Sequence, residues 1–407
     1  MKQKIHTVID LFAGCGGLSL GLYQAGWRGL FAIEKNEFAF ETLRYNLIEN
    51  KHHFKWPSWL PQTAHDINDV LKNYSEQLKD LRGEVDLVAG GPPCQGFSMA
   101  GKRVEDDVRN KLVFSYIEFI KLVQPKMILF ENVKGFTYAF KKDKEDQAIP
   151  YSQIVVEKLQ ELDYDVKPHV IDFSEYGVPQ RRKRFILVGI QKRLNSSASE
   201  FEDNLKNGKE SFLKKKNLSI TTTIEDAISD LLRVYGENPS QDRKGFMAGK
   251  YGPVLSNYQQ YLRGDDVKEG DVADSHAFAK HTADKLACYN RLLEKYPVRG
   301  KRIDGKAREP WGIFQRGITI LDPKSVSPTI TGHPDDYLHF SEPRIMTVRE
   351  CARIQSFPDW YQFKTQKFTL PDEAKKCIES WKKYCPDYEI VCHNEDNFDI
   401  SENRYAK

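Results

Sequence analysis

Val8-Ile9-Asp10-Leu11-Phe12-Ala13-Gly14-Cys15-Gly16-Gly17-Leu18 carries the first structural signal of the chain. Apolar, β-branched residues 8–12 predict a strand, and residues 18–25 carry a helical pattern behind the glycines. A strand running into glycines and then a helix lets a ligand approach the backbone, with helix amides aimed at it. Outward from this stretch the alternation repeats. Strands are expected at 30–33, 85–88, 127–130, 166–173 and 185–190, and helices at 39–46, 112–123 and 153–162. Strand, helix, strand in succession predicts an α/β fold, a doubly wound and mostly parallel sheet. Ligands of such sheets sit at the carboxyl ends of the strands. Glu34 stands 20 residues after Gly14 at the end of the second strand, where an acid accepts hydrogen bonds from ribose hydroxyls. A nicotinamide dehydrogenase fits this run too, although Ser19 occupies the third glycine position. So does a tight strand–helix turn with no ligand.

The chain has 407 residues, enough for two to four domains. Hydrophobic residues make up 40% and charged residues 29%, which excludes disordered and collagen-like classes. No window approaches the roughly 18 apolar residues of a spanning helix, and no secretory signal is read, so no membrane partner is expected. With 61 basic and 58 acidic residues the net charge is +3, so any polyanion site must be local. Seven cysteines without metal-ligand spacing fit a reducing, cytoplasmic setting and no metal site. Residues 191–220, polar and Lys-rich, read as a linker or exposed loop. A short helix is expected at 224–232. Residues 235–340 read as a second, smaller and irregular domain, after a first of residues 1–225. A third stretch, 345–407, begins with a helix at 347–355, has another at 372–384, and ends in an acidic tail.

Three further runs carry chemistry. Gly90-Gly91-Pro92-Pro93-Cys94-Gln95 leaves its strand stiff and extended, delivering Cys94 at the rim of the cleft. Cys94 is either a nucleophile with a lowered pKa or a buried structural thiol. Met127-Ile128-Leu129-Phe130-Glu131-Asn132-Val133 ends an apolar strand in an acid and an amide. Glu131 is either an acid holding a proton near neutrality or a cap for the next turn. Tyr176-Gly177-Val178-Pro179-Gln180-Arg181-Arg182-Lys183-Arg184 enters the last strand. Arg182 and Arg184 share one face of an extended chain, suited to phosphate or base-edge oxygens, or simply to a solvated edge.

In this order the runs resemble the motifs of the cytosine-5 DNA methyltransferase family, strongly over residues 7–190. The resemblance resumes at residues 321–363 with Ser327-Pro328-Thr329-Ile330-Thr331 and Pro343-Arg344-Ile345-Met346-Thr347-Val348-Arg349-Glu350. It implies an S-adenosylmethionine-dependent, Rossmann-like catalytic domain, with a target-recognition domain in the irregular stretch and residues 345–407 as a return segment. It implies a DNA (cytosine-5-)-methyltransferase of the restriction-modification type, acting on a flipped base in double-stranded DNA. Cys94 is then the nucleophile on cytosine carbon 6, Glu131 bonds ring nitrogen 3 and the exocyclic amine, and Arg184 with Arg182 binds the oxygen at carbon 2. S-adenosyl-L-methionine lies on Phe12, Gly14, Gly16, Gly17 and Leu18, with Glu34 on its ribose. Asp66, followed by Ile67, meets its adenine amine, and Pro92 lies near the methyl donor. Residues 101–110 resemble a loop that closes over flipped DNA, with Ser98 and Lys102 as phosphate contacts.

Lys295, Arg299, Lys301, Arg302, Lys306 and Arg308 fall within fourteen residues and are expected to form a flexible DNA-facing loop. The family's final Gly-Asn-x-Val-x-Pro run is not found. Truncation, or a complementing C-terminal segment or subunit, is the expectation drawn from that. Two alternatives stay open: a transfer RNA cytosine-5 methyltransferase, against which stands the missing Cys-Phe-Thr run, and an incomplete DNA-binding subunit inactive without a partner segment.

Overall fold

The computed structural model describes residues 5–93, 111–138, 150–314 and 316–364. Six strands form its main sheet: Thr7–Leu11 (β1), Arg28–Ile33 (β2), Leu87–Gly90 (β3), Met127–Val133 (β4), Tyr164–Asp172 (β5) and Lys183–Gln191 (β6). Their order is β2-β1-β3-β4-β6-β5. β1 pairs in parallel with β2 and β3, and β3 with β4, whereas β6 is antiparallel to both β4 and β5. The mostly parallel, doubly wound sheet expected from the alternation is therefore present, with one strand reversed. The chain leaves β1 toward β2 on one side and reaches β3 on the other. The crevice for a ligand opens between β1 and β3, at their carboxyl ends.

Alternation along each strand dresses both faces, as a parallel sheet requires. Ile9, Leu11, Phe31, Ile33, Val88, Ile128 and Phe130 share one core. It is closed by helices Ile67–Asn73 (α3), Ser75–Asp80 (α4), Lys111–Val123 (α5) and Tyr151–Glu161 (α6). The buried stripe of α5 is Val113, Tyr116, Ile117, Phe119, Ile120 and Val123, each burial worth roughly 1.5–3 kcal/mol. The opposite face carries Val8, Leu87 and Ala89 beneath Leu18 and Leu22 of helix Gly17–Gln24 (α1). Beside it Ala32 packs under Phe40 and Leu43 of helix Glu37–Leu43 (α2).

Two sequence expectations are corrected. The helix expected at 39–46 ends at Leu43 and widens into a π-helical stretch, Arg44–Asn50, which buries Asn46. The stretch 191–220 is not a loop, because Glu200–Lys215 forms helix α7. Its first turn holds Glu200, Glu202 and Asp203 and its last Lys214 and Lys215, the arrangement a helix dipole favours. Phe201 and Leu205, four apart, pack on Ile171, Ile186 and Val188. The charge density hid that stripe. Helices α3 and α4 were not expected from the pattern at all.

The second unit is not irregular throughout. Helices Ile224–Ile228 (α8), Asn257–Arg263 (α9) and Ala283–Lys295 (α10) stand beside two three-stranded sheets. One contains Glu237–Pro239 (β7), Met247–Lys250 (β8) and Val272–Ala277 (β9). The other contains Arg302–Ile303 (β10), Ile318–Ile320 (β11) and Tyr337–Leu338 (β12). The expected helix near 347–355 is Val348–Ile354 (α11), started by a reciprocal capping box between Thr347 and Glu350. Ile354 joins Ile224, Ile228, Tyr258 and Leu262 in one core. The helix expected at 372–384 lies outside the described residues. Among the described residues no helix is long and apolar enough to cross a membrane, and no group of metal-ligating side chains is found.

Candidate active site

Three strand ends converge on one rim. β3 runs out through Gly90 and Gly91 into Pro92 and Pro93. Beside it β4 ends in Glu131, Asn132 and Val133. Because β6 is reversed, its amino end, with Arg184, arrives at the same rim where its neighbours end. In that register Val133 faces Arg184, so Glu131 and Arg184 lie diagonally on one face. Arg184 Nε is 2.9 Å from Glu131 Oε1. A Cβ on Gly91 would stand 2.8 Å from Glu131 Oε2, so the carboxylate needs a glycine there. Asn132 Nδ2 donates to the Pro92 carbonyl at 3.2 Å, which fixes the β3 exit against the β4 exit. Tyr116, buried beneath, donates to the carbonyls of Val88 and Leu129 in the same two strands.

Arg182 sits one face-repeat before Arg184 and donates weakly to Gln180 Oε1. Burial, with the like charge of Arg184, pushes its guanidinium down to about 10. Burial lowers Arg184 too, against the pull of Glu131. The stretch before Arg182 is clamped by the second unit. Arg181 N donates to Ser327 O at 2.8 Å, Ser327 N to Pro179 O at 2.9 Å, and Thr329 Oγ1 to Arg181 O at 2.5 Å. Two of the resembling runs, far apart in sequence, are thus one structure.

Across the crevice lies the glycine turn. Phe12 and Gly14 both have positive φ, and the position of a Gly14 Cβ is open space. Glu34 closes the end of β2, its carboxylate accepting from Gly14 N at 2.9 Å and Asn36 N at 2.7 Å. His65 N donates to Glu34 O at 2.8 Å, which brings Asp66 alongside. Asp66 caps α3 through Asn68 N and pairs with Lys35, and Ile67 behind it is buried. Pro92 is buried at the facing strand exit. The turn's open floor and the two acids at its edge match a nucleoside with free hydroxyls and an amine. Gly16 and Gly17 differ: their missing side chains face Tyr361 and Phe357, within the protein.

The expected catalytic Cys94, Ser98, Lys102 and the 101–110 loop lie outside the described residues, as do Cys377, Cys385 and Cys392. The three described cysteines are free and none is set up as a thiolate. Burial pushes Cys15 and Cys288 up, and Cys351 up to about 12.

A family model described as C-5 cytosine-specific DNA methylase matches residues 6–378. The chain belongs to that family. Its similarity to named relatives runs along most of both chains. It is 31% identical over 374 residues to the Type II methyltransferase M.XorII of Xanthomonas oryzae pv. oryzae, covering 88% of this chain and 78% of that one. It is 28% identical to M.DdeI of Desulfomicrobium norvegicum, covering 95% and 84%. A solved E. coli prophage chain described as a DNA modification methyltransferase superposes with a TM-score of 0.58 at 25% identity, over 88% and 90% of the two chains. The acid–guanidinium pair thus stands at the rim, across the crevice from the glycine turn.

The basic run of the second unit is structured rather than a free loop. Arg299 donates to the Phe340 and Leu293 carbonyls, and Arg302 pairs with Asp336 at 3.2 Å. Lys295, Lys301 and Lys306 remain exposed.

Proposed function

We propose that the Glu131–Arg184 pair is the clamp for a flipped cytosine and that the Phe12–Leu18 turn, with Glu34, Asp66, Ile67 and Pro92, holds S-adenosyl-L-methionine. The observation carrying this reading is that a reversed strand brings Arg184 within 2.9 Å of Glu131 at the exit leading to Cys94. The target base must leave the duplex stack, since carbon 6 is out of reach within it. Arg184, aided by Arg182, holds the oxygen at carbon 2. Glu131 donates its proton to ring nitrogen 3 and accepts from the exocyclic amine, neutralising the negative charge that develops when the Cys94 thiolate adds to carbon 6. That addition breaks the ring's aromaticity and makes carbon 5 an enamine-like nucleophile. When bound, the cofactor supplies an electrophilic methyl group on its sulfonium. Removal of the carbon-5 proton by a base then returns electrons to the ring and expels the cysteine. Glu34 suits the ribose hydroxyls and Asp66 the adenine amine, as the resemblance implies.

The substrate is double-stranded DNA, and the Type II names of the relatives favour a modification enzyme of a restriction system acting in a bacterial cytoplasm. Trapping tests the covalent step. A long DNA duplex carrying 5-fluorocytosine has no carbon-5 proton to lose, so the Cys94 adduct should accumulate in the presence of S-adenosylmethionine and survive denaturing electrophoresis. No trapped species with the parent, or an equal amount with Cys94→Ser, contradicts the proposal.

A further inference from the structure

The stretch after α11 runs from the second unit back across the glycine turn. Tyr361 is fully buried there, and its hydroxyl donates to the Cys15 carbonyl. That oxygen stands so close to Gly16 that a Cβ at Gly16 would lie 2.6 Å from it. Gly16 has φ +89°, so only glycine serves both the backbone turn and the tyrosine. Phe357 covers Gly17 in the same way. The Gly16 side of the turn is thus backed by a side chain from the far end of the described chain, 346 residues from Cys15.

Tyr361 is itself held on two sides. On the catalytic side, Asn46 grips the next residue with a reciprocal pair: its amide donates to Gln362 O at 2.7 Å and its carbonyl accepts from Gln362 N at 2.9 Å. The π-helical widening of Arg44–Asn50 is the segment that carries Asn46. On the other side stand two arginines of α11, four residues apart and therefore on one helix face. Arg349 donates to Tyr361 O at 2.8 Å and to Asp274 Oδ2 at 3.1 Å in β9. Arg353 bridges Asp359 to Asp230, and Asp230 is also bound by Arg263 of α9. Asn46, Arg349, Arg353, Asp359, Asp230 and Arg263 are all buried. A buried network of this density costs desolvation and yields little net stability over an apolar core, so its return is geometric definition.

We propose that Tyr361 is a positioning residue for the methyl donor: anchored by the α11 arginines, its hydroxyl fixes the Cys15–Gly16 turn and so sets the open Gly14 floor on which the cofactor lies. The inference rests on the reading of that turn as the cofactor site. The phenol donates one hydrogen bond to the Cys15 carbonyl, and burial keeps the phenol protonated. Removing it leaves the aromatic packing on Phe357 and Phe363 but frees the turn to relax.

The test is Tyr361→Phe in the full chain, with S-adenosylhomocysteine binding measured by calorimetry and Glu34→Ala as the comparison. Loss of one hydrogen bond should weaken binding roughly fivefold to tenfold. KM for S-adenosylmethionine should rise by the same factor while kcat at saturation and the unliganded thermal midpoint stay near the parent. If Glu34→Ala weakens binding and Tyr361→Phe does not, the positioning role is overturned while the cofactor site stands. If neither weakens binding, the cofactor site is overturned and the inference with it. A loss of binding matched by an equal loss of DNA affinity and a fall in thermal midpoint also overturns it, since that is general destabilisation.

Discussion

Arg184 meets Glu131 across two strands that run in opposite directions, and that reversal alone puts a guanidinium at the carboxyl rim of a parallel sheet. As the proposed cytosine clamp, the pair would hold the base edge and offset the negative charge that develops on the ring. Glu131→Gln keeps the shape and loses the acid that would share a proton with ring nitrogen 3. We expect single-turnover methyl transfer to fall by roughly two to three orders of magnitude, the scale of losing one transition-state hydrogen-bonding group. Cofactor binding by calorimetry should be unchanged. Transfer within threefold of the parent would show that the pair is structural.

Asp10 gives a pH dependence of definite sign. Its carboxylate is buried in β1, bonded to Ser19 Oγ through one oxygen, and its other oxygen has no partner. Burial pushes it up from 3.8 to about 7. Between those values the unfolded chain has released the proton that the folded chain keeps, so stability falls as pH rises from about 4 to 7. Asp10→Asn should flatten that part of the stability curve and leave the mutant more stable than the parent at pH 8. The check is chemical denaturation at several pH values. Parallel curves for parent and mutant would refute the assignment.

Buried histidines of the second unit act in the opposite direction. Burial pushes His276 down to about 4 and His339 down to about 3 from 6.5. The unfolded chain binds the protons first, so stability is full above about 6.5 and is lost as pH falls toward 4. Acid unfolding followed by hydrogen exchange should therefore begin around β9 and β12. Onset in the main sheet would contradict this.

Arg353 is the hub of the buried ionic cluster. Arg353→Met leaves Asp230 and Asp359 with reduced compensation and should cost about 3–5 kcal/mol in urea unfolding. A cost below about 1 kcal/mol would mean the cluster is rebuilt by Arg263 and Arg349.

The exposed lysines separate DNA contact from folding. Lys295, Lys301 and Lys306 carry the surface charge of the basic run, whereas Arg299 and Arg302 are tied into the fold. Replacing the three lysines by alanine should leave the thermal midpoint intact. It should reduce the dependence of log affinity on log salt by about 2–3. An unchanged salt slope would move the DNA interface elsewhere.

Much of this was legible in the sequence because the catalytic sheet is built from strong local signals. Apolar runs ending in Gly14, Gly91 and Glu131 fixed the strands and placed their special residues at one rim. The direction of β6 was not legible, since a strand's pattern is the same read either way, and the Glu131–Arg184 contact depends on it. Helix α7 was hidden because its charges outnumber its buried side chains. Tyr361 was missed for another reason. Phe357, Trp360, Tyr361 and Phe363 flank Pro358 without helical or strand period, and only the fold reveals what such a cluster covers. Asn46 was missed because a π-helical widening has no sequence signature of its own.

The most direct test of the account is the identity of the methylated base. Unmethylated genomic DNA should be incubated with the chain and labelled S-adenosylmethionine, with transfer RNA in parallel, and the products digested to nucleosides. Label is expected in 5-methylcytosine from DNA, and none with Cys94→Ser. Label in another base, label in transfer RNA but not DNA, or full activity of Cys94→Ser would contradict it.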